Sequence, residues 1–450
     1  MKGPLHAPWP VRAVLLSAAL LALVQQQWLL LRPPRLESLG AAAASAGSAA
    51  LQARFSRPMA LESLKQASRL EPPRPHRWLG EGERPQLSLL DQAPVRQPLK
   101  LALAGRDRRG LALRPSLWHW DPRPRLLAVV PVATGEQLQL RDHDGRWLPL
   151  SPVWPRLQSV EPQGDGSGVA FSGEDAEGNV SIWRVGLRQP GVVPADAAAR
   201  RPAIEPPRSL VRGRLLFAHL SSNRRGDLLV QSSGGAQEVV TLLPRSGGRL
   251  DLPLRAGGAM RLLPEGGGVV VPTAEGLALD DLPPRPPRRQ MLPGSRDLLA
   301  FCPRSGRALL LRHWPDYRRS LERVEPGLPP RQLWLGSAAV VGGACAGGGE
   351  RVWLLLLDGQ ERPVLSLLAL DAQGALLGQR QLEGWELEPG AGLHFDPSTQ
   401  QLLTTLRPAG HDGGVRRPPP ESRPVLIDAS SLEATPIQQP ARLSLWLPPG

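Results

Sequence analysis

Cysteine, lysine and most aromatic residues are scarce in this chain of 450 residues. It has 2 cysteines, 1 tyrosine and 5 phenylalanines, and lysine occurs only at positions 2, 65 and 100. Two cysteines cannot form a disulfide-rich scaffold or a zinc site built mainly from thiolates. No lysine follows a glycine, and neither Gly-x-Ser-x-Gly nor His-Glu-x-x-His occurs, so phosphate-loop, serine-hydrolase and zinc-protease motifs are absent. We therefore predict no bound cofactor.

The basic residues are numerous but scattered along the chain. Arginine gives the protein a formal net charge of +13. A nucleic-acid-binding protein would group such residues on one face and add aromatic side chains that stack on bases. Neither pattern is present, so we expect no nucleic-acid partner. The charge favours a weak general attraction to anionic lipid or to an acidic protein.

A short phrase recurs seven times from Leu117 onward: an apolar strand, a turn with proline or glycine, and a second apolar strand. The copies recur roughly every 40 to 60 residues, which is typical of propeller blades. They align on Pro122, Pro162, Ser221, Pro264, Pro303, Ala346 and Pro397.

A second hairpin follows most of these copies, as in the stretches from Gln137, Val240, Leu365 and Val425. Two hairpins supply four antiparallel strands, the content of one blade. The sequence thus predicts an all-β propeller of four-stranded blades, and a β-sandwich with the same strand spacing is the alternative.

The ends of the chain indicate the number of blades. A hairpin from Leu99 precedes the first copy, a lone strand from Arg442 follows the last, and Gln86 begins a further short strand. Together these strands would complete an eighth blade from both ends of the propeller. We therefore predict eight blades, with seven as the alternative.

The stretch GDGSGVAFSGEDAEGNVSIWRVGL, from Gly164 to Leu187, has a Gly-rich turn before a second strand. It resembles the TolB-type propeller repeat, a relative of the WD repeat, whose blades carry a Ser-Pro-Asp-Gly turn at this place. The other copies depart from it, because PEGG, PRSG and PSTQ replace that turn. The resemblance implies a shared architecture in a family that mainly supplies binding platforms for proteins and small ligands. It does not imply shared partners, since many activities occur on propellers.

The N-terminal region predicts contact with a membrane. An apolar run from Ala13 to Val24 resumes at Trp28 to Leu31, for about 19 residues in all, between basic flanks. We predict that residues 1–35 are an uncleaved signal anchor, and a cleaved signal peptide is the alternative. Both predictions put the propeller outside the cytoplasm, either on a single-pass anchor or secreted into the periplasm. The two basic flanks leave the orientation open.

The remaining organisation follows from composition. We expect residues 36–85, which are Ala-rich, briefly helical and then Pro-rich, to be a linker, and residues 86–450 to be the propeller. The Pro- and Arg-containing stretch 189–208 is predicted to be a loop that leaves a blade.

The two cysteines, Cys302 and Cys345, each directly precede the turn in consecutive copies. Equivalent positions in adjacent blades are neighbours in space, so a disulfide would form if their Cα atoms came within about 7 Å. Inner strands of adjacent blades tend to be further apart than this, and we predict two buried thiols.

The aligned copies place five polar residues near one another. Strand alternation puts the residue before each turn and the residue two places earlier on one face. His119, Asp121, Glu161, His394 and Asp396 are therefore predicted to cluster at one mouth of the channel, where they could bind a divalent metal or a cationic ligand. In the alternative interpretation the acids cap their own turns and the histidines are ordinary polar lining.

Two functions fit these patterns. We predict a membrane-tethered propeller that acts as a non-enzymatic platform for an envelope protein. The alternative is an extracytoplasmic enzyme, a metal-assisted hydrolase or lyase that uses the His/Asp cluster.

Overall fold

A computed structural model describes residues 9–44, 47–197, 201–235, 237–255, 257–304, 306–359, 363–409 and 421–450. These residues form nine antiparallel sheets of four or five strands. The predicted all-β propeller architecture is confirmed. Two of the sheets form an N-terminal sandwich, and the other seven surround a central channel.

The first element is the helix α1 (Trp9–Leu31). Its apolar side chains point outward on several sides, with Leu16, Leu21 and Trp28 among the exposed ones. Among the described residues, no helix combines the length and the apolar character required to span a membrane. Residues 1–8 of the predicted anchor lie outside the described residues.

The sandwich comprises two sheets and one short helix. One sheet has the strand order β1-β2-β5-β4, and the other contains β3, β6 and β7. The bounds are β1 (Leu36–Ala42), β2 (Ala50–Phe55), α2 (Leu61–Ala67), β3 (Arg69–Glu71), β4 (His76–Leu79), β5 (Gln86–Leu89), β6 (Leu99–Leu103) and β7 (Ser116–Trp120).

Residues 36–85 are therefore not the linker that composition predicted. Leu51, Phe55 and Leu87 share one buried core with Leu101 and Trp120 from the second sheet. Their spacing obeys strand alternation, which the Ala- and Pro-rich composition of the segment obscures. The folded chain thus has an ordered domain where we expected a spacer.

The seven remaining sheets are the blades. Each has its innermost strand at the channel and its other strands further out. The first blade contains β8 (Arg125–Val132), β9 (Gly135–Arg141) and β10 (Trp147–Pro149). The second contains β11 (Arg156–Pro162), β12 (Gly168–Glu174), β13 (Val180–Arg188), the short β15 (Ala203–Ile204) and β16 (Arg208–Leu215). Between β13 and β15, the chain forms β14 (Val192–Pro194) and a 3-10 turn (Ala195–Ala197).

The third to fifth blades each have four consecutive strands. They are β17 (Phe217–Ser222), β18 (Leu228–Ser233), β19 (Glu238–Leu243) and β20 (Leu250–Leu252); β21 (Arg261–Leu262), β22 (Gly268–Thr273), β23 (Gly276–Asp281) and β24 (Arg289–Pro293); and β25 (Arg296–Phe301), β26 (Ala308–His313), β27 (Arg319–Val324) and β28 (Arg331–Gly336).

The sixth and seventh blades complete the ring. They contain β29 (Ala339–Ala346), β30 (Arg351–Asp358), β31 (Val364–Asp371) and β32 (Leu376–Gln381), and then β33 (Trp385–Leu387), β34 (His394–Asp396), β35 (Gln401–Pro408), β36 (Arg423–Asp428) and β37 (Ala434–Pro436). The last strand, β38 (Leu443–Leu447), pairs with β8 and becomes the innermost strand of the first blade.

The eighth blade predicted from the chain ends does not form. The strand from Gln86 pairs within the sandwich, and the strand from Leu99 pairs with β3 and β7. The strand from Arg442 is β38, which completes the first blade by itself. The first blade packs against the second blade on one side and against the seventh on the other, so the ring closes with seven sheets.

Hydrogen bonds join the sandwich to the second and seventh blades of the propeller. β14, within the stretch 189–208 that we predicted to be a loop, pairs with β7 as the fourth strand of the second sandwich sheet. The Asp121 N–H donates to the Gly191 carbonyl at 2.7 Å, and the Val95 N–H donates to the Ser398 carbonyl at 2.7 Å. The sandwich therefore contacts the second and seventh blades.

Cys302 and Cys345 form a disulfide between the fifth and sixth blades, and their Cα atoms are 5.4 Å apart. The prediction of two free thiols is wrong. β25 and β29 approach closely at Gly343, where an added Cβ would lie only 2.3 Å from Cδ2 of Leu299 on β25, and both cysteines belong to one buried apolar cluster.

Candidate functional site in the central channel

The seven innermost strands surround a cavity of about 690 Å³. β11, β17 and β21 give it one polar side with Ser159, Glu161, His219 and Arg261. β25, β29 and β38 give it an apolar side, with Leu298, Val341, Leu443 and Leu445. The cavity is therefore amphipathic, and its volume is that of a small-molecule site.

Strand alternation sets which side chains reach the cavity. On β17, Ala218 and Leu220 are buried between blades, whereas His219 and Ser221 line the cavity. The short β21 presents Arg261 to the cavity, and the next residue, Leu262, packs in the core between the third and fourth blades. The blade cores thus hold the polar side chains in place.

Glu161 is held by two neighbouring blades. Its Oε1 accepts the Ser222 N–H at 2.8 Å, and its Oε2 lies 3.6 Å from Nη1 of Arg261. Burial raises the pKa of Glu161, although Arg261 and the Ser222 N–H both act in the opposite direction. The carboxyl group is therefore protonated more readily than an exposed glutamate.

Arg261 is the cation that influences the ionisable side chains of the cavity. Its Nη1 donates to the Leu220 carbonyl at 3.3 Å, and about half of its side chain is exposed. Burial lowers the pKa of His219 and of His394, and the charge of Arg261 lowers each further. Arg261 is thus the charged group that acts on Glu161, His219 and His394 alike.

His394 lines the cavity at the start of β34. Burial, reinforced by Arg261, lowers its pKa to about 4, so the imidazole is neutral at physiological pH. Its Nε2 is buried without a hydrogen-bond partner among the described residues. Its carbonyl accepts the indole N–H of Trp446 at 3.2 Å, which ties β34 to β38.

The structure brings only two of the five predicted site residues into the cavity, Glu161 and His394. His119 lies on β7 in the sandwich, because β7 pairs with β6 and β14 instead of with β8. Asp121, which follows β7, accepts hydrogen bonds from Arg123 and lies 2.9 Å from Nδ1 of His143. Burial opposes its ionisation, but Arg123 and His143 outweigh burial and hold the pKa of Asp121 below its usual range.

Asp396 is buried in the turn that follows β34. Its Oδ2 accepts the Ser398 hydroxyl at 2.8 Å and the Thr399 N–H at 2.7 Å, so it caps its own turn. Burial raises the pKa of Asp396, and these hydrogen bonds offset only part of that effect. For Asp396, the alternative interpretation given above is the one that fits.

The predicted metal cluster is therefore not assembled. Among the described residues, no group of three or more His, Cys, Asp or Glu side chains is arranged to hold a metal ion. Glu161 and His394 are the two residues of the predicted set that share a cavity, and Arg261 is the charged group beside them.

Sequence reasoning did not select Arg261 or His219 for this site. In the turns, the Gln163 N–H donates to the Gly168 carbonyl and the Leu263 N–H donates to the Gly268 carbonyl. Arg261 therefore occupies the level of Glu161, two residues from the position that alignment on proline gave it. An alignment on the turn glycines would have paired the two charges.

The turns after the first strands form a continuous edge on one side of the channel, which we call the turn rim. It comprises residues 163–167, 223–227, 263–267, 303–304 with 306–307, 346–350 and 397–400. The Arg224 N–H donates to the Pro264 carbonyl at 2.9 Å, and the Arg304 N–H donates to the Gly347 carbonyl at 2.7 Å. The Arg224 guanidinium also reaches the Pro303 carbonyl at 2.6 Å. Hydrogen bonds thus connect the turns of the third to sixth blades.

No protein-family model matches the chain, and no curated protein matches its sequence. Solved structures with a similar arrangement of strands do exist. TolB from Acinetobacter baumannii is 12% identical, with 78% of this chain and 79% of that chain covered at a TM-score of 0.40. A putative 6-phosphogluconolactonase from Bacteroides fragilis is 14% identical, with 72% and 98% covered at a TM-score of 0.46.

A periplasmic gluconolactonase from Pseudomonas aeruginosa is 17% identical to this chain, with 73% of this chain and 99% of that chain covered at a TM-score of 0.45. Two of the three are named as lactonases and the third as TolB, and likenesses at this level carry no argument about this chain. The ring of seven sheets by itself identifies the fold as a propeller.

Proposed function

We propose that this protein is a non-enzymatic binding platform for a partner protein at the cell envelope, with its propeller outside the cytoplasm. The observation that carries the proposal is the hydrogen-bonded turn rim. Loops on a rigid scaffold are where propellers and similar folds bind. A surface that is already ordered loses little conformational entropy on association.

The turns of the third to sixth blades are the part of the rim that we assign to the partner. The sandwich forms its hydrogen bonds with the propeller at the second and seventh blades and through Asp121 to His143 of the first blade. The other four turns carry exposed ion pairs, Arg224 with Glu265 and Arg304 with Glu350. Such exposed charges contribute little to folding and are available to guide a charged partner.

Two features support a location outside the cytoplasm. The Cys302–Cys345 disulfide is of a kind that persists in oxidising compartments and is rare in the cytosol. The helix α1 exposes apolar side chains on several sides, which favours contact with lipid over contact with water. We propose that α1 attaches the protein to a membrane.

In-cell cross-linking of the full-length protein tests the platform function. Quantitative mass spectrometry would compare the wild type with Arg304→Glu on the turn rim and with Arg318→Glu. Arg318 lies in the turn between β26 and β27, and successive hairpin turns of a blade lie at opposite ends of its strands, so this control is on the other face. We expect a near-stoichiometric partner that Arg304→Glu depletes and Arg318→Glu retains. Equal recovery in both variants, or recovery of the protein alone, would exclude the proposed surface.

The location is tested separately by thiol labelling after the cells are quenched in acid and the protein is denatured, because both cysteines are buried in the folded chain. Outside the cytoplasm, Cys302 and Cys345 are oxidised and react with a maleimide only when reductant is added before labelling. Rapid labelling of both thiols without reductant, together with release of the full-length protein from membranes by buffer alone, would contradict the proposed location and tether.

A further inference from the structure

We propose that the central channel is a binding site for a small amphipathic carboxylate, held by Arg261 on the polar side and by leucines on the apolar side. This site is independent of the turn rim and of any partner protein there. Three features support it: the unused donors of Arg261, the polar and apolar sides of the cavity, and the position of Glu161.

Arg261 has capacity for an anion. Its hydrogen bonds within the described chain use only Nη1, and its separation of 3.6 Å from Glu161 is too long for a hydrogen bond. Nε and Nη2 remain for a ligand, and a guanidinium donates most effectively to a carboxylate through two parallel N–H groups. About half of the side chain is exposed to the channel, so the group is accessible.

The opposite side of the cavity fits an apolar body. Leu298 lies on β25, and Leu443 and Leu445 lie on β38, so apolar side chains from separate blades face the channel. A ligand that carried only charge would leave this surface exposed to water. A carboxylate with an aliphatic chain would cover this apolar surface with its chain and would bind the Arg261 guanidinium with its carboxylate group.

Glu161 tunes this site. Its Oε2 lies 3.6 Å from Nη1 of Arg261, and Glu161 in its ionised form repels a bound carboxylate. The Ser222 N–H holds the other oxygen, so the side chain is not free to swing out of the channel. Neutralising Glu161 therefore strengthens carboxylate binding, a gain that a damaged fold would not produce.

The test is calorimetric titration of the purified full-length protein with hexanoate and with the uncharged hexanamide at pH 7. Two further probes, acetyl-Leu-Leu with a free or an amidated C-terminus, distinguish a small free acid from the C-terminus of a protein. We expect each free carboxylate to bind about tenfold more tightly than its amide. The tighter of the two acids identifies the source of the natural ligand.

Variants localise the binding. Arg261→Gln is expected to abolish the preference for the carboxylate, and Arg318→Gln, which alters an arginine of similar exposure outside the channel, is expected to keep it. Glu161→Gln is expected to raise the affinity for hexanoate about threefold or more. Equal binding of acids and amides, equal behaviour of the two arginine variants, or no binding of either acid at about 10 mM would overturn the proposal.

Discussion

Cys302 and Cys345 are 43 residues apart in sequence, and their disulfide connects the fifth blade to the sixth. The two cysteines are buried beside Leu309 and Leu354, which belong to the second strands of these blades. The covalent bond therefore joins two blades that also meet through apolar packing and through hydrogen bonds at their turns. The stability of this part of the ring consequently depends on the redox compartment.

Replacing both cysteines with alanine is expected to destabilise the protein by about 3 to 4 kcal/mol, because the cross-link restricts a loop of this length in the unfolded chain. Denaturant unfolding with and without reductant measures the effect. Reductant should destabilise the wild type and leave the double variant unchanged. Equal sensitivity of the two proteins would contradict a native disulfide.

Arg442 and Glu136 close the ring with a bidentate ion pair. The distances are 2.7 Å from Nε to Oε1 and 2.9 Å from Nη2 to Oε2, and Arg442 also donates to the Leu157 carbonyl of the next blade. We expect a double-mutant cycle with Arg442→Met and Glu136→Gln to give a coupling energy of about 1 to 2 kcal/mol. The exposed pair Arg318–Asp316 serves as the control and should give less than about 0.5 kcal/mol. Similar coupling energies for the two pairs would mean that Arg442–Glu136 stabilises the fold no more than an exposed ion pair does.

Leu51→Ala tests whether residues 36–85 are folded. Leu51 is fully buried in the sandwich core, so its truncation should cost about 2 to 5 kcal/mol in the unfolding transition of the sandwich. The half-exposed Leu117 of β7 is the matched control, and Leu117→Ala should cost less than about 1 kcal/mol. A negligible effect of Leu51→Ala on unfolding would mean that residues 36–85 form the linker that their composition suggested.

His394 is expected to make stability depend on pH. Its pKa is lowered from 6.5 to about 4 in the folded protein, so between these values the unfolded chain binds more protons. Stability therefore falls as the pH drops, by about 2 kcal/mol between pH 7 and pH 5 for this group alone. Subtracting the unfolding free energies of His394→Asn from those of the wild type at each pH isolates this component. Parallel pH profiles would show that His394 does not titrate as described.

The repeating strand–turn–strand phrase was sufficient to predict the propeller, because each copy from Glu161 to Asp396 encodes one hairpin with local turn chemistry. The first copy gave a wrong prediction for the same local reason. His119 and Pro122 fit the phrase, but β7 does not form a hairpin with the strand that follows it. It pairs with β6 and with β14, and β14 is distant in sequence. Pairing between distant strands leaves no signal in a single short phrase.

The channel was predicted only in part. Strand alternation predicted one shared face for the five residues, and of these Glu161 and His394, on first strands of blades, line the cavity. Alignment on proline put Arg261 two residues away from the position of Glu161, because the proline does not occupy the same place in every turn. The role of Arg261 also depends on three partners from other blades, which a comparison of single copies does not bring together. The disulfide was missed because the approach of β25 and β29 is a property of packing, which the spacing of two cysteines does not reveal.

Site-specific photo-cross-linking in cells tests the central claim most directly. A photoreactive phenylalanine would replace Glu265 or Arg304 on the turn rim, or Tyr317, which is 89% exposed in the turn between β26 and β27 on the other face. A binding platform that uses the turn rim predicts one dominant protein adduct from both rim positions and none from Tyr317. Adducts from Tyr317 alone, or the same mixture of minor adducts from all three positions, would contradict the account.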